Sequence, residues 1–318
     1  MNKFTSRFAE PIESMLAYRV ALGLSHKAIE SALLRFDRYC VGYYPEAVCL
    51  SKEIVFGWIE FQQKHYPKSI SSIAMVIRCF ARYLAAIGQE AYLLPEGFYP
   101  LKSTFSPYIF TDKELSELFF AIDNLPRKHK STEAVVAPVL FRLIYTCGLR
   151  PNEGRELLYE NINLHTGEVS VVKTKKKKDR LVVMSDEMLT LCQRYAETME
   201  TQSEYFFPRF DCNAYTASQV DRLFKSCWEK VNPDVEDLPK VRTTDLRHRF
   251  ASTRLNRWLD EGRDLNAMLP YLRAYMGHDS LSETAYYIHV LPENLVKSAG
   301  VDWDSLSSVL PEVNVWQP

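Results

Sequence analysis

Apolar residues recur at helical spacing through the first ninety positions of the chain. Ile73, Ile77, Phe80, Ala81 and Leu84 form one such stripe, at the i, i+4, i+7, i+8, i+11 positions of one buried helix face. Four helices are predicted, over residues 11–23, 26–41, 52–65 and 69–87, with breaks at Ser25, Tyr43-Tyr44-Pro45 and Pro67. Helices this short and closely joined pack as a bundle of about 90 residues. Residues 94–108 hold three prolines, a glycine and no periodicity, which marks a linker. Two domains follow, 1–104 and 105–318.

The second domain opens with Thr111 and Glu114 spaced as a capping box. An apolar helix over 133–147 ends at Gly148, which is free to take the left-handed conformation. Pro138 lies inside it, which leaves room for a later start or a kink, and Pro151 is placed as the first residue of the next helix. Two runs rich in β-branched residues, 169–174 and 180–184, flank the lysine-rich stretch 175–179 and predict a hairpin. Helices follow over 186–199 and 218–231, with the aromatic segment 205–210 between them as core. Ala251, Leu255, Trp258 and Leu259 give a further stripe, and Gly277-His278 closes another helix. The fold class is mainly α with a small antiparallel sheet.

Composition changes this picture little. A 318-residue chain with 47% hydrophobic and 25% charged residues is ordinary for a globular protein. It has no apolar run of membrane-spanning length and no apolar leader at its start, so a cytoplasmic location and no membrane partner are expected. The seven cysteines are scattered with no C-x-x-C pair, and read as reduced thiols. His26, His65, His129 and His165 lack ligand spacing. The net charge of −1 is unusual for a nucleic-acid binder, but it is uneven. The last 38 residues hold Lys297 alone against Glu283, Glu293, Asp302, Asp304 and Glu312. An acidic tail is repelled by phosphates, so it is expected to dock on protein.

Candidate chemistry lies in the second domain. Arg247 falls one turn before Ala251 on a core-facing stripe, where a guanidinium needs a buried carboxylate or a ligand anion to meet it. Arg150 sits at a helix start, a position that suits a cation only if an anion also binds there. Arginines, His278 and a tyrosine hydroxyl together suit attack on a phosphodiester with no metal or cofactor.

The order Arg247-His248, Met276-Gly277-His278 and Tyr287, with His289 two residues later, resembles the C-terminal signature of tyrosine recombinases, the phage integrase family. Thr146-Cys147-Gly148-Leu149-Arg150-Pro151-Asn152-Glu153 resembles the stretch that carries the family's first catalytic arginine, with Glu153 in the place of the acidic residue that braces the site. Counting back five from Arg180, as in the family's G-K-x-x-K-x-R pattern, selects Lys175. Residues 258–278 look especially like integrases of transposons and other mobile elements.

The resemblance implies a SAM-like, DNA-clamping helical domain before a catalytic domain, and a site-specific recombinase or integrase working through a 3′-phosphotyrosyl intermediate. Tyr287 is the implied nucleophile, with Tyr286 its neighbour and rival. Arg150 and Arg247 hold the phosphate oxygens, His278 hydrogen-bonds the phosphate, and Lys175 protonates the leaving oxygen. The implied partners are double-stranded DNA, three further copies of the chain in a tetramer on two duplexes, and accessory mobile-element proteins. The amphipathic tail, about 301–318, docks between protomers or on its own domain.

One position departs from the family: Thr244 stands where histidine is usual three residues before Arg247. Either phosphate or water then takes the tyrosine proton, or Arg242 or His248 reorganises the site, or cleavage is slow. The alternatives are an architectural DNA-binding protein of the same fold with weak or lost catalysis, type IB topoisomerase-like strand relaxation, and, more distantly, a metal-dependent nuclease.

Overall fold

Phe36, Trp58 and Phe80 show why the first helices assemble. Their rings meet edge to face, Phe36 to Trp58 at 5.7 Å and Phe36 to Phe80 at 6.1 Å, a geometry that aromatic pairs favour. They come from three helices of a set of four: α1 (Ala9–Ala21), α2 (Lys27–Tyr43), α3 (Lys52–His65) and α4 (Ile70–Ala86). The computed structural model describes residues 3–24, 26–66, 70–98, 107–172, 179–199 and 203–284. The chain divides into two compact units, Met1–Phe105 and Ser106–Pro318. Lys175, Tyr286, Tyr287, His289 and the 301–318 tail lie outside the described residues.

In the first unit, Ser51 caps α3 by accepting from the Ile54 backbone, and buried Asp37 accepts from the backbone of Thr5 and Ser6 at 2.9 Å each. Helix α2 runs two residues past the predicted end because Tyr39 stacks on Tyr43 at 4.8 Å within its last turns. The predicted linker is too long at both ends. Leu94 is buried, Arg78 donates to the carbonyls of Leu94 and Pro95, and Arg82 pairs with Glu96. Tyr108 belongs to the second unit, where it bonds Glu114 and packs against Phe110 and Trp228. Proline removes helical periodicity, but it does not prevent a segment from being pinned by side chains.

The second unit opens with α5 (Asp112–Asp123), whose Thr111–Glu114 capping box is present as predicted. Helix α6 (Glu133–Cys147) is its central element, burying Val136, Leu140, Phe141, Leu143 and Ile144. Pro138 is accommodated within it without a break. Around α6 stand α7 (Pro151–Arg155), the antiparallel pair β1 (Glu168–Val171) and β2 (Arg180–Val183), α8 (Asp186–Thr198), α9 (Ala217–Val231), α10 (Thr244–Asp260) and α11 (Leu265–Met276). The strands pair in register from Glu168 with Val183 to Val171 with Arg180; β1 starts one residue before the predicted run, whose residues 173–174 lie outside the described residues. Among the described residues no helix is long and apolar enough to cross a membrane.

Gly148 ends α6 at φ +61°, and a Cβ there would lie 2.6 Å from the ring of Phe250. Gly148→Ala therefore combines left-handed strain with displacement of a buried ring and is expected to cost about 2–4 kcal/mol. Urea unfolding checks it; an unchanged midpoint means that the turn adapts.

Candidate active site

Two helices, α6 and α11, end beside the start of α10. Gly148 closes α6 and Gly277 closes α11, both in the left-handed conformation, which only glycine adopts without strain. Their last carbonyls have no helical partner. Arg247, in the first turn of α10, supplies donors to both: Nη1 to Gly148 O and Nη2 to Met276 O, each at 2.6 Å. Its side chain is only 4% exposed. The negative ends of two helix dipoles thus stabilise a buried cation, so carbonyls meet the need that the sequence assigned to a carboxylate or a ligand. A carboxylate is also near, since Glu153 Oε2 lies 4.0 Å away.

Glu153 is the hub. Arg150 donates to it from its backbone N–H and from Nη1, both at 2.8 Å, while its Nη2 donates to Gly277 O at 2.6 Å. The anion beside Arg150 is therefore first of all Glu153, inside a helix of five residues, rather than a ligand at a helix N-terminus. Arg180 grips the same carboxylate from the other side at 2.9 and 2.7 Å. Burial alone raises the Glu153 carboxyl, but the hydrogen bond and charge of Arg180 and the donors of Arg150 prevail and hold its pKa at about 2. Three guanidinium groups share this one carboxylate, which leaves a local surplus of two positive charges.

His278 follows Gly277 directly and is buried. Its Nδ1 lies 2.8 Å from the hydroxyl of Thr284, itself fully buried. Burial first, and then the charges of Arg247 and Arg150, push the imidazole pKa down to about 3, so the ring is neutral at pH 7. Arg273 pins the same turn by donating to the carbonyls of His278 and Asp279. His248 is likewise lowered, to about 4, by burial and then by Arg242 and Arg247; its Nε2 lies 3.9 Å from Asp245 Oδ1. Asp245 accepts from the Arg242 backbone at 2.7 Å, and Thr244 is half-buried at the start of α10.

Of the five residues selected from sequence, the structure brings Arg150, Arg247 and His278 together around the turn 275–277. Lys175 and Tyr287 lie outside the described residues. Sequence reasoning passed over Arg180, used there only to count back to a lysine, and Thr284, which carried no signal. An arginine opening a strand shows nothing in its periodicity of being the second grip on a buried glutamate.

A mainly helical unit with a small antiparallel pair, and a cationic cluster built on two glycine-capped helix ends, suits strand transfer on a phosphodiester. The phage integrase family model matches residues 109–294. Over 306 residues the chain is 24% identical to y4rB of Sinorhizobium fredii, designated an integrase/recombinase, covering 92% of this chain and 96% of that one. It is 26% identical over 293 residues to the tyrosine recombinase XerA of Pyrococcus furiosus, covering 90% and 92%. Its fold is similar to that of the Tn1549 transposon integrase in complex with transposon right end DNA, with a TM-score of 0.64 and 15% identity over 94% of this chain and 96% of that one. Fold and relatives define a tyrosine site-specific recombinase, a DNA strand-transferring enzyme. The chain belongs to the phage integrase family.

Proposed function

We propose that the chain cleaves and rejoins double-stranded DNA at specific sites through a 3′-phosphotyrosyl intermediate, as the integrase of a mobile element. The observation that carries this is the surplus of two positive charges that Arg150, Arg180 and Arg247 hold against Glu153 at the α11 end, beside His278. A phosphodiester brings one negative charge and gains another as attack proceeds, so the surplus grows more favourable toward the transition state, as catalysis requires.

In the proposed reaction, Tyr287 oxygen attacks phosphorus and gives its proton to a phosphate oxygen or to water, the bond to the 5′ oxygen breaks, and that oxygen takes a proton from Lys175. Arg150 and Arg247 hold the two non-bridging oxygens, guanidinium forks matching phosphate geometry. A ring whose Nδ1 accepts from the Thr284 hydroxyl carries its proton on Nε2, where it is available to the phosphate. The phosphotyrosyl bond conserves the energy for religation, so no nucleotide is consumed. The 1–104 unit clamps the duplex, and four copies act on two duplexes with accessory mobile-element proteins. The tail docks between protomers.

The test is to sequence DNA joined covalently to the chain in cells, and then to present the recovered site as a nicked suicide duplex in EDTA. Adducts that map to one site and to Tyr287 support the proposal. Relaxation of any supercoiled plasmid without site dependence favours the topoisomerase alternative, and no adduct under either condition overturns the enzyme assignment.

Threonine at 244 is not a base at neutral pH, so the phenolic proton lacks its usual acceptor. Thr244→His is expected to speed suicide-duplex cleavage, by up to about 10²-fold. An unchanged or slower rate means that proton acceptance does not limit the reaction.

A further inference from the structure

The proposed chemistry gives no task to Arg180, yet its side chain is far more buried than that of Arg150, 7% exposed against 38%. Three contacts define it. Nη1 and Nη2 take the two oxygens of Glu153 at 2.9 and 2.7 Å, and Nε donates to the Tyr275 carbonyl at 2.8 Å. A Cβ on Gly277 would lie 3.2 Å from its Cδ and Nη1, so the backbone that leads into His278 rests on this side chain.

These contacts join two functional groups that sequence keeps far apart. The carboxylate that Arg180 grips is the one that takes the backbone N–H and Nη1 of Arg150. The turn it supports is the one whose next two carbonyls take Arg247 and Arg150: Tyr275, Met276 and Gly277 accept from Arg180, Arg247 and Arg150 in order. Glu153 held by Arg150 alone would follow any motion of that side chain. Gripped from behind by a buried, planar fork, it becomes a fixed abutment. Only arginine meets a carboxylate bidentately and still has Nε for a third acceptor; lysine offers a point charge.

We propose that Arg180 is a positioning residue for strand cleavage: it locks Glu153 and the 275–277 turn into one bracket that aims Arg150 and His278 at the scissile phosphate without touching the phosphate. This rests on the recombinase reading of the site. A merely stabilising ion pair would have the same contacts, so the test must read orientation toward phosphate rather than folding.

The full-length chain with Arg180→Lys, which keeps the charge and loses the fork, is compared with wild type on the suicide duplex recovered from cellular adducts. At saturating protein it is expected to cleave about 10- to 100-fold more slowly, the scale of a small misplacement of a positioned group, and to bind the duplex with affinity within about threefold of wild type. The discriminating substrates carry a methyl in place of one non-bridging oxygen of the scissile phosphate, as separate phosphorus diastereomers. Each removes the oxygen, and the charge, that one arginine would hold. The Arg180→Lys deficit is expected to shrink about tenfold on the diastereomer that also relieves Arg150→Ala, and to persist on the other. Ratios between substrates within one protein sample cancel any inactive fraction.

A wild-type cleavage rate in Arg180→Lys overturns the proposal. So does an equal deficit on the phosphodiester and both diastereomers, which assigns Arg180 to the fold alone. Failure of wild type to form any adduct strikes instead at the recombinase reading.

Discussion

Tyr287→Phe forms no covalent adduct with the suicide duplex, at a detection limit of about one part in 10³ of the wild-type yield, and binds the duplex about as tightly as wild type. The two halves of this expectation have different physical origins. Binding is the sum of many phosphate contacts along the DNA, each a cation releasing counterions, and one hydroxyl adds little to it. In the proposed reaction, cleavage requires an oxygen nucleophile at the one phosphate that the arginines would neutralise. A phenol ionises near pH 10, so its reactivity at pH 7 would depend on how far Arg150 and Arg247 make the phosphorus electrophilic. Removing the oxygen leaves that activation with nothing to use it. Tyr286→Phe is the control, and it should retain most of the adduct. If Tyr286→Phe is the dead variant instead, the nucleophile has been assigned to the wrong one of two adjacent phenols. A denaturing gel decides between them.

Much of this site was legible in the sequence because its backbone requirements are local. Gly148 and Gly277 announced helix ends, Thr111 and Glu114 announced a helix start, and both signals hold in the structure. Arg247 could be placed as buried because its stripe was apolar. What sequence could not reveal is which groups meet a buried charge. Arg247 finds its principal partners in the carbonyls of residues 99 positions before it and 29 after it. Arg180 reaches Glu153 across 27 residues and Tyr275 across 95. Backbone carbonyls have no sequence signature, so long-range pairings to them are invisible until the chain is folded. The linker was overdrawn for the same reason: Arg78 pins its first residues through the carbonyls of Leu94 and Pro95.

Glu153→Gln is expected to destabilise the second unit by about 3–5 kcal/mol, the range for leaving one side of a buried ion pair uncompensated. The amide keeps the shape of the carboxylate, but it turns one oxygen into an NH₂ that faces guanidinium donors, and it removes the charge that three buried or half-buried arginines share. The pH dependence identifies the cause. The folded carboxyl ionises at about 2, against about 4.3 for an unperturbed glutamate. A depressed folded value means that the unfolded chain binds the proton more readily. The stabilisation from Glu153 is therefore complete above about pH 5 and is lost as pH falls toward 2. Other carboxylates titrate in the same window, but they do so in both proteins. The difference in stability between wild type and Glu153→Gln should be flat above about pH 5 and narrow steadily below it. Activity should separate from binding as well. The variant's surplus rises from two charges to three, so duplex binding should hold or tighten, while cleavage falls by about 10² or more because Arg150 is no longer held in place. A variant that unfolds with a pH-independent deficit, or that loses binding and cleavage in parallel, shows Glu153 to be an ordinary packing contact and not the hub of the arginine cluster.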